Sequence, residues 1–247
     1  MSIKTTLNYS PNFNSKKRKF KQIKFIVFHY TGMKKESEAI SRLTNIQSQV
    51  SCHYLIKKNG EIIAMVPETY IAWHAGKSSW RNCKSLNKNS IGIEITNSGH
   101  EFNYKKFTEK QINTLLKLSR YLIKKYNINL KNILGHSDIA PERKKDPGEN
   151  FPWQYLSQNK VGLWHTIKKQ ELIKNRKIKS IKIDKNLFIN NLFKIGYSKK
   201  KPRTLSKNKY LDYIIKAFQR RYRQSLIDGK IDQECLIISQ NLIKRFY

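Results

Sequence analysis

The sequence predicts a mixed α/β domain, one sheet flanked by helices, followed by a small all-α domain of three helices. Three observations carry this reading. Short apolar, β-rich runs alternate with helix-period segments between Ile23 and Leu134. An Asn59-Gly60 pair separates two such runs, and Asn-Gly marks a hairpin because both residues tolerate positive φ. Beyond Leu187 only the helical period remains.

In chain order, residues 1–20 read as an arm with little core-forming potential, polar at first and then basic at Lys16-Lys17-Arg18-Lys19. A buried strand is expected over Ile23–Phe28 and a helix over Glu36–Gln47 with Ala39, Ile40 and Leu43 on one face. A hairpin follows, His53–Ile56 and Ile62–Val66, then a strand over Ser90–Thr96. Thr108–Tyr126 is the clearest helix, because Thr108 and Gln111 form a capping-box pair ahead of 3.6-residue spacing at Ile112, Leu115, Leu116, Leu122 and Ile123. Asn132–Leu134 returns as a strand, and the α/β domain spans 21–165. Residues 166–185, rich in lysine, read as a linker or spacer helix. Residues 186–247 hold the helical domain, with helices near Leu187–Phe193, Tyr210–Arg221 and Cys235–Phe246.

Composition narrows the function. Fifty basic residues against 17 acidic ones give +33, which favours a polyanion of some kind. The lysines are spread along the whole chain, and no nucleic-acid motif is present, so a specific nucleic-acid binder ranks last. No apolar stretch approaches the roughly 20 residues that span a bilayer. The start lacks the apolar core of a secretory signal, which sets the expectation of a cytoplasmic enzyme, with the periplasm or cell envelope as the alternative; a monomer is expected as well. Cys52, Cys83 and Cys235 are scattered and odd in number, which argues against a disulfide framework or a cysteine zinc site.

Two histidines stand out because each ends an apolar run: Phe25-Ile26-Val27-Phe28-His29 and Ile133-Leu134-Gly135-His136. A loop after the second contains Asp146. Two imidazoles and a carboxylate make a three-ligand set that leaves a fourth zinc position open, the pattern of a catalytic site; the structural alternative is a pair of hydrogen-bonded core histidines. Glu94 interrupts the strand Ile91–Ile95, where it is either solvent-facing or, beside a metal, a general base. Lys144 is either a surface lysine or an oxyanion stabiliser. Trp73 and His74, in Ala72-Trp73-His74-Ala75-Gly76, are candidates to line a substrate pocket. His53, His100 and His165 carry structural readings only.

These segments resemble a known family. Val27-Phe28-His29-Tyr30-Thr31, Ala72-Trp73-His74-Ala75-Gly76, Asn89–Ile95 and Gly135-His136-Ser137-Asp138-Ile139-Ala140-Pro141, with Lys144, Asp146, Pro147 and Gly148, match the zinc-dependent N-acetylmuramoyl-L-alanine amidases of the type-2 amidase family over roughly Lys21–Trp164. The resemblance implies one zinc on His29, His136 and Asp146, a catalytic Glu94, an oxyanion-stabilising Lys144, and hydrolysis of the amide between N-acetylmuramic acid and L-alanine in peptidoglycan or muropeptides. The alternative, a peptidoglycan-recognition protein that binds without cutting, fits less well because such proteins typically lack a zinc ligand. Leu192–Tyr197, Ala217–Tyr222 and Asp228-Gly229 look like the motifs of a C-terminal peptidoglycan-binding module. A chain ending near Gln170 is therefore expected to keep cleavage of a soluble muropeptide and to lose grip on insoluble wall. Relatives with this module are often exported or lipid-anchored, whereas those that recycle anhydro-muropeptides work in the cytoplasm.

Overall fold

The computed structural model describes residues 3–178 and 183–247. Among the described residues ten strands and eight α-helices follow one another as β1 (Thr6–Leu7), β2 (Phe13–Asn14), β3 (Phe25–Tyr30), α1 (Glu36–Thr44), β4 (Tyr54–Ile56), β5 (Ile62–Ala64), β6 (Ile71–Ala72), β7 (Ser79–Trp80), β8 (Cys83–Lys84), β9 (Ser90–Ile95), α2 (Glu109–Tyr126), β10 (Ile133–Gly135), α3 (His136–Ile139), α4 (Trp153–Gln158), α5 (Lys169–Lys177), α6 (Lys185–Ile195), α7 (Lys207–Tyr222) and α8 (Gln233–Phe246). The main sheet has the order β1-β5-β4-β9-β3-β10. Strands β4, β9, β3 and β10 run parallel to one another, and β5 is antiparallel to β4 through the Asn59-Gly60 turn. Gly60 sits at φ +86° there, as such a turn requires. The mixed α/β fold read from the sequence is the one observed.

The central strands are buried on both faces, which is why β3 reads as a continuous apolar run. Phe28 packs against Phe151 and Trp153, with ring centroids 5.3 and 5.7 Å away. Helix α2 starts where the sequence places it: Thr108 and Gln111 bond reciprocally, at 3.0 and 3.2 Å, and Leu115, Leu118 and Leu122 are fully buried. A smaller cluster of Leu43, Cys52, Leu55, Ile63 and Met65 lies beside α1, with Ile40 packed against it.

Residues 3–20 do more than the expected arm. Strand β1 extends the sheet edge beside β5, and β2 pairs with β6. Asn12 donates from Nδ2 to the carbonyls of Asn45 and Val50, and the buried Arg18 donates to the carbonyls of Glu68 and Asn87. Polar side chains bonding to backbone carbonyls hold this segment in place, and apolar periodicity cannot register them.

Part of the expected linker is helix α5, whose Arg176 pairs with Glu234 of α8; residues 179–182 lie outside the described residues. Helices α6, α7 and α8 enclose Phe188, Leu192, Ile214, Phe218, Ile238 and Leu242, and this interior is continuous with the core of the α/β part. Among the described residues no helix is long and apolar enough to cross a membrane. Cys52, Cys83 and Cys235 are free thiols.

Candidate active site

Strands β9, β3 and β10 deliver the chemistry to one end of the sheet. His29 is the penultimate residue of β3, and Glu94 stands directly opposite it in register on β9. Strand β10 ends at Gly135, and the chain turns at once into α3, whose first residue is His136. The following loop folds back so that the Ser137 amide donates to the Asp146 carbonyl at 2.8 Å. His29 is thereby gathered with His136 and Asp146, more than 100 positions away in sequence, into one buried group able to hold a metal ion.

Their separations are nearly equal. Nδ1 of His29 lies 2.9 Å from Nδ1 of His136 and 3.0 Å from Oδ2 of Asp146, and Nδ1 of His136 lies 3.1 Å from the same oxygen. The edges of a zinc tetrahedron with bonds of 2.0–2.1 Å are about 3.3 Å, so the triangle is close to one ligand face.

The proton inventory around the two imidazoles explains why these atoms face inward. Ser90 donates its hydroxyl to the Leu86 carbonyl at 2.6 Å, so it accepts from Nε2 of His74 at 3.1 Å. His74 is then protonated on Nε2, and its bare Nδ1 accepts from Nε2 of His29 at 3.0 Å. His29 is left with a lone pair on Nδ1. His136 reaches the same state by donating from Nε2 to the Ala75 carbonyl at 3.2 Å. Two imidazole lone pairs and a carboxylate oxygen converge on one point, and such a donor set repels itself unless a cation is shared. The residues fit a zinc ion.

Electrostatics agree. Burial, then the neighbouring His136, lowers His29 to about 4, so it is neutral and able to ligate. Burial acts to raise Asp146, but without a metal the charge and N–H groups that His136 and then His29 can present to it outweigh burial and hold the carboxylate well below its usual range; a cation shared by the three groups acts in the same direction once the imidazoles turn bare nitrogens to it. Glu94 goes the other way: burial first, and then the charge of Asp146, push it well above the usual range, with Lys144 opposing. Its Oε2 is buried with no hydrogen-bond partner. A carboxyl group with an unpartnered oxygen beside three converging donors is placed to exchange a proton with a molecule bound there.

A cavity of about 530 Å³ opens over this floor, and Trp73, Glu94, His136, Lys144 and Asp146 line it. His74, expected on a substrate pocket, lies on the cavity lining. Both of its ring nitrogens are engaged, one by His29 and one by Ser90, so it orients the His29 ring. Gly92 makes room for it, since a Cβ there would lie 2.3 Å from the His74 ring. His100, read as structural, lines the cavity, bonded through Nδ1 to the Tyr30 hydroxyl at 2.9 Å and through Nε2 to Glu149 at 3.0 Å. Arg42 and Arg143 also line it, and Arg143 ties the loops together by donating to the carbonyls of Ala75 and Lys77.

A parallel-centred sheet with two histidines, an aspartate and a glutamate at its open end defines a hydrolase whose His-His-Asp group can hold a metal. A family model for N-acetylmuramoyl-L-alanine amidases matches residues 19–149. The chain is 34% identical over 239 residues to the N-acetylmuramoyl-L-alanine amidase AmiD of Escherichia coli K12, covering 92% of this chain and 84% of that one. It is 41% identical over 105 residues to the 1,6-anhydro-N-acetylmuramyl-L-alanine amidase AmpD of Citrobacter freundii, 42% of this chain and 54% of that one. The solved complex of E. coli AmiD with anhydro-N-acetylmuramic acid-L-Ala-D-γ-Glu-L-Lys superposes with a TM-score of 0.79 at 34% identity, covering 91% and 90% of the two chains. The AmpDh3 structure from Pseudomonas aeruginosa gives 0.78 at 29%, covering 99% and 96%. The chain belongs to the N-acetylmuramoyl-L-alanine amidase family.

Proposed function

We propose that this amidase cleaves the bond between N-acetylmuramic acid and L-alanine with one zinc ion held by Nδ1 of His29, Nδ1 of His136 and Oδ2 of Asp146. The observation that carries this reading is the convergence of those three lone pairs within 2.9–3.1 Å of one another, beside a carboxyl group with an unpartnered oxygen. When bound, zinc supplies a Lewis acid that acidifies water and polarises a carbonyl.

The chain's own groups do the rest. Glu94 takes a proton from the attacking water at Oε2 and returns it to the L-alanine nitrogen as the amide breaks, a role its unpartnered oxygen suits. The Lys144 ammonium, on the cavity wall with Glu94 and Asp146, offsets negative charge that develops on the carbonyl oxygen. His74 fixes the tautomer of His29, and the Ala75 carbonyl fixes that of His136. Trp73 presents a flat apolar wall to the substrate, its indole anchored by Nε1 to Asn14 at 2.8 Å.

The substrate is peptidoglycan or a muropeptide derived from it, and the net charge of +33 favours anionic wall material in general. Helices α6–α8 serve as a peptidoglycan-binding unit, raising the local concentration of polymer at the site. Purified protein assayed on peptidoglycan and on a soluble muropeptide, before and after a chelator, tests the reading. Loss of lactyl-alanine cleavage on chelation, restored by zinc, is the expected result; cleavage that is indifferent to the chelator would remove the metal.

A further inference from the structure

The loop that carries two of the three candidate ligands is held from behind by the C-terminal helices. Asp138, two residues after His136, is buried, and both of its oxygens are engaged. Oδ2 accepts from the Gly135 amide at 2.7 Å and from Nη1 of Arg221 at 2.5 Å, and Oδ1 accepts from the Tyr197 hydroxyl at 3.1 Å. Arg221 also donates from Nη2 to the Ile133 carbonyl at 2.9 Å, and its guanidinium lies 4.1 Å over the Trp153 ring. The preceding residue, Arg220, pairs at 3.6 Å with Glu149, which bonds His100 on the cavity wall. Gln224 donates to the Phe151 carbonyl at 2.6 Å.

These contacts share a target. Ile133, Asp138, Glu149 and Phe151 bracket His136 and Asp146, and the groups that reach them come from Tyr197, from the end of α7 and from Gln224 just beyond it. Arg221 is only 2% exposed, so it is unavailable to wall polymer, although the motif that contains it reads in sequence as part of a binding module. A buried arginine with a bidentate reach to a carboxylate and a carbonyl fixes direction as well as charge. The carboxylate it holds sets the turn from β10 into α3, and that turn aims His136.

We propose that Arg221 and Tyr197, supported by Arg220, are positioning residues of the metal centre, so that the helical part of the chain completes the hydrolytic unit as well as holding polymer. This rests on the metal reading above. It also reverses the sequence expectation for a chain ending near Gln170: without Tyr197 and Arg221, the His136 loop loses its support, and cleavage of even a soluble muropeptide falls.

The test is a zinc titration of chelator-stripped full-length protein, in competition with a colorimetric chelator, alongside the thermal midpoint of the metal-free form. Because Arg221→Met alone strands a buried carboxylate, the charge is removed from both partners in Arg221→Met/Asp138→Asn; Tyr197→Phe removes a single hydroxyl, and Lys209→Ala on the exposed start of α7 is the control. Both core variants should bind zinc about 10- to 100-fold more weakly, the scale for groups that orient metal ligands. The reloaded enzymes should show a lower kcat at unchanged KM for a soluble muropeptide, and Lys209→Ala should match the parent. A purely architectural role lowers the metal-free midpoint yet leaves the zinc affinity of the folded protein unchanged, and that result, in Tyr197→Phe or in the double variant, would overturn the proposal. A parent protein that takes up no zinc would instead sink the metal reading itself, before any variant is compared.

Discussion

Nε2 of His29 and Nδ1 of His74 lie 3.0 Å apart, and this contact decides which face of the His29 ring is free for a metal. His74→Ala removes the acceptor and releases the tautomer. The variant should fold and retain the three ligands, yet its zinc affinity should fall about 10- to 100-fold. Competitive zinc titration checks this; an unchanged affinity would mean that the Ser90–His74–His29 chain of hydrogen bonds is incidental.

Gly92 offers an independent handle on the same contact. Gly92→Ala places a methyl group 2.3 Å from the His74 ring, in a site closed by the buried strands β3 and β9. Overpacking of this kind costs about 1–3 kcal/mol. Chemical denaturation of the metal-free protein should show a loss of that order, and zinc affinity should drop along with it as His74 is displaced.

Glu94→Gln should leave the metal group intact, because Glu94 is not among the three converging donors. Its rate should fall about 10²–10⁴-fold, the usual scale for general acid–base catalysis. Lys144→Ala should likewise keep zinc and lose rate. Steady-state turnover on a soluble muropeptide, with metal content measured on the same samples, checks both; near-parental turnover would remove the residue from the mechanism.

Much of this was legible in the sequence, for identifiable reasons. Central parallel strands must be apolar on both faces, so an imidazole at the end of such a run, as at His29 and His136, is conspicuous. The capping pair Thr108–Gln111 and the Asn59-Gly60 turn act locally, so they can be read without a fold. Three things stayed hidden. The part played by His74 depends on which nitrogen carries a proton, which only its partners Ser90 and His29 determine. Asn12 and Arg18 anchor the N-terminal segment through backbone carbonyls distant in sequence. Arg221 meets Asp138 across 83 positions, and an arginine in an amphipathic helix reads as solvated until its partner is known.

Stability should respond to pH through His165, which stacks beside Trp164 at the end of the α/β part. Burial lowers its pKa from 6.5 to about 4. Between those values the unfolded chain binds a proton that the folded chain does not, so stability falls as pH drops from 6.5 and the effect levels off near 4. The full contribution is up to about 3 kcal/mol. Denaturation midpoints of the parent and of His165→Phe, compared at pH 7.5 and pH 4.5, should diverge, with the variant losing less on acidification; parallel losses would show that other groups set the acid sensitivity.

Anomalous X-ray scattering across the zinc absorption edge, from crystals of the zinc-loaded protein, checks whether three specific atoms hold one zinc. One strong peak per chain is expected, about 2.0–2.2 Å from Nδ1 of His29, Nδ1 of His136 and a carboxylate oxygen of Asp146. No peak at that point, or a peak ligated through Nε2 of either histidine, would contradict it.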